Sequence, residues 1–285
     1  LMRSSAASDV YKRQDNRQSQ LRNAQLYILD EIKRICTLHN IEYFLDGGSM
    51  LGAVRHQGFI PWDDDIDVGM KLEHYKKFLA IAERELGEDF FIDNHEHNQD
   101  CALVFSKIRL KETLYLELKG NKNALHNEIF VDVFPYYYVS DNKIVRNLEA
   151  LQMRILSQAL LEKSGYKVWA GEGIIKRLKF IPIDVLGALL SKEYMHQKMN
   201  NILTRHTNTK YMCVHAGGRF YQFWNMPSEI FSHYMMASFE GKSYPIPEDY
   251  DTYLTIGYGD YMTLPPESQR VTHNIVKLDL GKYTF

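Results

Sequence analysis

Residues 47–70 read GGSMLGAVRHQGFIPWDDDIDVGM, and the fold turns on this stretch. The run Gly47, Gly48, Ser49 forces a turn, and Ser49 is placed to cap a short helix ending at Arg55. Gly58 and Pro61 punctuate the loop that follows. Residues 65–70, DIDVGM, alternate polar and apolar as a half-buried strand does. In an extended chain Asp63, Asp65 and Asp67 share one face, while Ile66 and Val68 point to the core.

Two ionised carboxylates about 6 Å apart repel by about 3 kcal/mol at an effective dielectric near 20. A fold holds three of them together when a cation neutralises them. All-oxygen ligands at this density favour Mg²⁺, with Mn²⁺ as the alternative. The plainer reading is a solvated acidic turn, but Trp62, Ile66 and Val68 tie this one to a core. A calcium EF-hand starting at Asp63 needs glycine at position six and glutamate at position twelve. Those positions hold Val68 and His74. A haloacid-dehalogenase-type DxD needs an apolar strand directly before the pair, and Pro61, Trp62, Asp63 and Asp64 stand there instead. A DxD glycosyltransferase holding a nucleotide-sugar through metal stays open.

The upstream context separates these readings. A Gly-Gly-Ser turn opening a helix presents N–H groups and a hydroxyl to a phosphate. A strand carrying two carboxylates beside it would hold the metal that bridges that phosphate. This is the active-site grammar of the nucleotidyltransferase fold. Arg55 is placed to clamp a diphosphate bidentately, with a plain surface arginine as the alternative. Lys107 and Arg109 flank Ile108 on a strand and face one side, either to neutralise phosphate or as ordinary sheet charges. Asp132 sits among Phe130, Val131, Val133 and Phe134, a charge in an apolar strand that must be metal-bound or paired with Arg or Lys.

Working outward, the predicted order is a helix from Leu21, a strand at 41–45, the stretch above, and a helix at 72–86. Strands follow at 90–92, 102–110, 113–118 and 128–133, then helices at 143–163 and 183–202 around a loop at 165–173. Residues 210–214 and 234–239 read as strands, ahead of a Gly/Pro/Tyr-rich tail. The expected fold is α/β (α+β): a nucleotidyltransferase-like mixed sheet core with flanking helices, over residues 15–140. A helical, aromatic-rich part at 141–285 packs on it as one continuous unit. Residues 1–14 (LMRSSAASDVYKRQ) look like a non-native, disordered leader and are left out of the fold.

The 285 residues carry 34 basic and 36 acidic side chains, a net charge of −2, which gives no bulk basic field for nucleic acid. Cys36, Cys101 and Cys213 are an odd set without a CxxC pair, expected to pack in the core of a protein from a reducing compartment. No apolar run approaches the roughly 20 residues of a membrane span. A cytoplasmic protein is expected, with residues 176–190 either a buried helix or a peripheral membrane contact.

Residues 47–70, with IFVDVFPYY at 129–137, FEGKSYPIPEDYDTYLTIGYGDYMTLPP at 239–266 and RVTHNIVKLDLG at 270–281, resemble the LicD family, relatives of fukutin and fukutin-related protein. The resemblance runs from about Leu21 to the end of the sequence. It implies a nucleotidyltransferase-like fold that transfers a phosphorylated alcohol from a CDP-alcohol to a hydroxyl of a glycan or lipid-linked glycan. CDP-choline is the expected donor and CMP the expected product; the fukutin branch uses CDP-ribitol. By similarity Asp65, Asp67 and Asp132 are the metal-binding and catalytic carboxylates. Gly47, Gly48, Ser49, Arg55 and Lys107 fall to phosphate binding, with Asp63, Asp64, Arg270 and His273 in support. One of the aspartates, Asp132 by preference, would deprotonate the acceptor hydroxyl. Tyr253, Tyr258 and Tyr261 are expected to pack, although a choline headgroup favours an aromatic cage. A nucleotidyltransferase moving NMP from an NTP and a non-catalytic binding module are the remaining alternatives.

Overall fold

The computed structural model describes all residues except 1, 99–100, 118–125, 166–180, 215–223 and 271–274, and side chains from Arg17 onward other than those of Glu117, Ile181, Pro182 and Asp184. Its frame is a seven-stranded mixed sheet in the order β1 (Phe44–Leu45), β2 (Asp67–Lys71), β6 (Phe130–Val139), β4 (Ser106–Leu110), β3 (Phe90–Asp93). β7 (Tyr211–Val214) pairs with the far half of β6 and carries β8 (Met226–Pro227). β2 and β6 run parallel, whereas β4 and β7 are antiparallel to β6. The expected α+β class is therefore observed.

β6 is central because FVDVFPYYYV is almost continuously apolar and buried along nearly its whole length. Pro135, which cannot donate to a ladder, falls between the last β4 partner, Val133, and the first β7 partner, Tyr136. β5 (Leu114–Glu117) pairs with β11 (Ile275–Asp279), and β9 (Tyr234–Phe239) with β10 (Lys242–Pro247), as separate two-stranded sheets.

Helix α1 (Met2–Leu38) runs through the stretch that composition set aside as a leader. Its buried stripe starts later, at Leu21, and continues through Ala24, Ile28, Leu29, Ile32, Ile35 and Cys36. Helices α2 (Gly47–His56) and α3 (Leu72–Glu85) complete the N-terminal layer. The predicted helix at 143–163 is α4 (Lys143–Lys163), capped by Asn142 through the Ile144 and Val145 N–H groups. The single helix expected at 183–202 is instead two, α5 (Ile181–Leu189) and α6 (Lys192–Leu203). Ser191 breaks it by accepting from Tyr194 N as a fresh N-cap. α7 (Tyr250–Tyr258) follows β10.

One apolar cluster joins α1, α2, α3, the sheet and residues of β9, β10 and α7. A second lies under α4 and α6 against Tyr137, Val139 and Cys213. All three cysteines are buried and free, as expected. Among the described residues no helix is long and apolar enough to cross a membrane. Of the stretch 176–190, residues 176–180 lie outside the described residues; α5 buries Gly187 and leaves Val185 and Leu189 exposed.

Candidate active site

Strand register assembles the carboxylates. Asp67 opens β2 and stands opposite Asp132 on the parallel neighbour β6, whose N–H donates to Ile66 O at 3.0 Å. Burial alternates through the approach to β2, with Asp64, Ile66 and Val68 inside and Asp63, Asp65 and Asp67 on the half-buried side. The ligand oxygens of Asp63, Asp64 and Asp65 fall within 4.8 Å of one another. Burial, then Asp65, Asp132, Asp46 and Asp63, push the Asp67 carboxyl well above the usual range.

Residues 63–66 precede the ladder, and α1 holds them from outside it. Arg22 Nη2 donates to the carbonyls of Ile60 at 2.9 Å, Pro61 at 3.1 Å and Asp63 at 2.9 Å. Gln18 Nε2 reaches Pro61 O and Asp63 O, and Gln25 Nε2 reaches Asp64 O at 2.8 Å. Desolvation lowers the Arg22 pKa, against Glu240, Asp63 and Asp64. The sequence offered no sign of this clamp, because three polar side chains on a helix face read as solvent-exposed. The buried Asp64 also accepts from Tyr115 OH at 3.2 Å.

α2 aims its N-terminus at this cluster. The cap is Asp46, not Ser49: the Asp46 side chain accepts from Gly47 N, and Ser49 lies inside the helix. Ser49 Oγ accepts instead from Asp67 N at 2.9 Å, joining helix to strand. Gly47 has φ +49°, and a Cβ there would stand 3.4 Å from Asp67 Oδ2. A Cβ on Gly48 would be 2.7 Å from Asp63 Oδ2, so only glycine lets that carboxylate lie against the first turn. Gly47 N–H is committed to Asp46 Oδ1 and Tyr253 OH. The N–H groups of Gly48 and Ser49 have no partner within the helix, and the helix dipole favours negative charge in front of them.

Beneath lies a network that links distant parts of the chain. Asp46 is buried and accepts from Tyr136 OH at 2.7 Å and, by a very short bond, from Tyr253 OH. Burial raises the Asp46 carboxyl, against these bonds. Tyr253 therefore packs, as expected, but as a hydrogen-bonded core residue.

The other expected residues sort as follows. Lys107 Nζ is 2.5 Å from Asp132 Oδ1 and 3.3 Å from the Phe130 ring centroid, so Asp132 has a lysine partner and Lys107 reaches the cluster. Arg109 turns the other way, into a buried pair with Asp93 at 2.6 Å. Arg55, near the far end of α2, donates to Tyr261 O at 2.6 Å and to His56 Nε2 at 3.0 Å. Arg270 lies over the Trp62 ring at 4.7 Å and donates to Pro265 O at 3.1 Å. His273 lies outside the described residues.

The oxygen-only donor set and the carboxylate crowding around Asp67 fit a hard divalent cation. Residues 40–161 match the LicD/FKTN/FKRP nucleotidyltransferase-domain family. The chain is 33% identical over 267 residues to the lipopolysaccharide cholinephosphotransferase LicD of Haemophilus influenzae, covering 88% of this chain and 93% of that one. It is 32% identical over 97 residues to the ribitol 5-phosphate transferase FKRP of Mus musculus, and 30% identical over 99 residues to that of Homo sapiens. Both of those matches cover 34% of this chain and 17% of the relative. With its acidic strand, its Gly-Gly helix start and near full-length similarity to a LicD transferase, the chain belongs to the LicD family of phosphotransferases.

Proposed function

We propose that the protein transfers phosphocholine from CDP-choline to a hydroxyl of a cell-surface glycan or its lipid-linked precursor and releases CMP. The observation that carries this reading is the juxtaposition of Asp67 and Asp132 in register, with the Asp67 carboxylate lying against the α2 N-terminus at Gly47. Asp65, Asp67 and Asp132, supported by Asp63 and Asp64, would hold Mg²⁺ or Mn²⁺. When bound there, such an ion would supply Lewis-acid stabilisation of the phosphate charge. The Gly48 and Ser49 N–H groups bind a donor phosphate oxygen. Lys107 holds Asp132 until the donor arrives and then faces its phosphates. The acceptor oxygen attacks the choline-bearing phosphorus, the phosphoanhydride bond breaks, and CMP leaves with the electron pair. The hydroxyl proton passes to a carboxylate of the cluster.

The experiment follows ³¹P NMR of CDP-choline with protein, Mg²⁺ and lipopolysaccharide. Growth of CMP together with a phosphodiester signal on the glycan is the expected result. CMP formation from CDP-ribitol but not CDP-choline would replace the headgroup. Turnover of ATP or UDP-glucose alone would replace the reading with a nucleotidyltransferase or a glycosyltransferase.

A further inference from the structure

Trp224 and Tyr258 meet edge to face beside the acidic cluster, with ring centroids 5.6 Å apart and planes at 89°. The corner is held from below. Trp224 Nε1 donates to Tyr253 OH at 3.3 Å, and Tyr253 belongs to the Asp46 network that caps α2. It is also shaped by Gly257, one helical position earlier on α7, where a Cβ would come 2.6 Å from Trp224 Cη2. Any other residue there would push the indole off the helix.

Tyr258 is 40% exposed, and its hydroxyl lies at the Gly47 end of the site, beside Asp67. That hydroxyl and Asp67 Oδ2 lie 3.7 and 3.4 Å from the place a Gly47 Cβ would occupy. An aromatic face thus stands directly next to concentrated negative charge. Among the described residues the corner presents aromatic surface and a single phenol, a poor match for the several hydroxyls of a polyol. A cation wrapped in methyl groups is matched on both counts, by the ring quadrupoles and by the field of the carboxylates.

We infer that the Trp224–Tyr258 corner is the headgroup subsite and takes a quaternary ammonium. The inference rests on the CDP-alcohol reading above and selects the headgroup within it.

The test is calorimetric titration of CDP-choline, CDP-ribitol and CMP, each with Mg²⁺, into wild type, Trp224→Leu, Tyr258→Leu and Tyr258→Phe. Wild type is expected to bind CDP-choline about ten-fold or more tighter than CDP-ribitol. Both leucine variants should bring the two within about two-fold, with CMP affinity reporting an intact nucleotide site. Tyr258→Phe, which keeps the ring, should keep the preference. Should Trp224→Leu fail to fold, the exposed Tyr258 variants decide alone. A preference for CDP-choline that survives Tyr258→Leu overturns the inference. So does a wild type that binds CMP and prefers CDP-ribitol, an outcome that leaves the donor reading standing. A wild type that binds no cytidine nucleotide removes the donor reading itself, and the subsite with it.

Discussion

Asp67 and Asp132 face each other across the parallel strands β2 and β6, and Lys107 closes on Asp132 from the opposite neighbour, β4. One lysine thus serves a strand pair that gathers more negative charge than it can neutralise. The arrangement is poised for a cation, and each consequence can be measured.

Replacing Lys107 removes its ion pair with the buried Asp132. Lys107→Met should lose about 3 kcal/mol of stability in EDTA, as expected when one member of a buried pair is removed. Mg²⁺ should restore a larger part of this than it adds to wild type, because it supplies Asp132 with a counter-charge in place of the lysine. Urea unfolding of both proteins with and without Mg²⁺ reads the difference. Equal Mg²⁺ responses would take Asp132 out of the metal site.

Gly48→Ala introduces a Cβ where Asp63 Oδ2 now lies, 2.7 Å away. The obstacle is the end of a side chain, so the fold should persist while Asp63 moves. We expect Mg²⁺ affinity to fall about ten-fold with the unfolding midpoint nearly unchanged. Unchanged metal affinity would show that Asp63 has no part in holding the ion.

The Asp46 network should be worth stability rather than chemistry. Tyr253→Phe removes the buried hydrogen bond to Asp46 together with the acceptor that Gly47 N–H and Trp224 Nε1 share, and should cost at least about 2 kcal/mol. Asp46→Ala removes the α2 cap and strands both phenols, and should cost about 4 kcal/mol, with the loss of the cap alone near 1. Denaturant unfolding checks both. A smaller loss for Asp46→Ala than for Tyr253→Phe would contradict the network.

A pH dependence follows from His196, buried at the Cys101 carbonyl and stacked on His95 at 4.3 Å. Burial, then His95, lowers it from an ordinary 6.5 to about 4. The unfolded chain therefore binds a proton that the native one refuses. Its stabilising contribution is complete above pH 6.5 and is lost as the pH falls toward 4. His196→Gln should flatten the stability profile in that window by up to about 1.4 kcal/mol per pH unit. Parallel profiles for variant and wild type between pH 6.5 and 4 would refute the assignment.

Local signals in the sequence translated well into structure. The alternation in DIDVGM gave the half-buried faces of Asp65 and Asp67, and the periodicity at 143–163 gave α4 with its bounds. The Ser49 cap was misread because an aspartate two residues before the Gly-Gly-Ser turn's second glycine competes for the same helix start. What escaped is long-range. Parallel β2–β6 register, the Arg22 clamp and the Asp46–Tyr253 bond join residues 38 to 207 positions apart. No periodicity encodes such pairings, since only packing decides them. Lys107 shows the limit at a single residue: alternation placed it on one face with Arg109, yet the two turn to different carboxylates.

The most direct measurement of the central claim is thermal unfolding of the whole protein with CDP-choline, UDP-glucose or ATP, each with Mg²⁺ or EDTA, for wild type and Asp67→Asn. A ligand at about a hundred times its dissociation constant adds roughly 2.7 kcal/mol, which moves the midpoint of a protein this size by several degrees. The account predicts a shift with CDP-choline that needs Mg²⁺ and disappears in Asp67→Asn. A CDP-choline shift that persists in EDTA or in Asp67→Asn, or a shift with ATP or UDP-glucose alone, would contradict it.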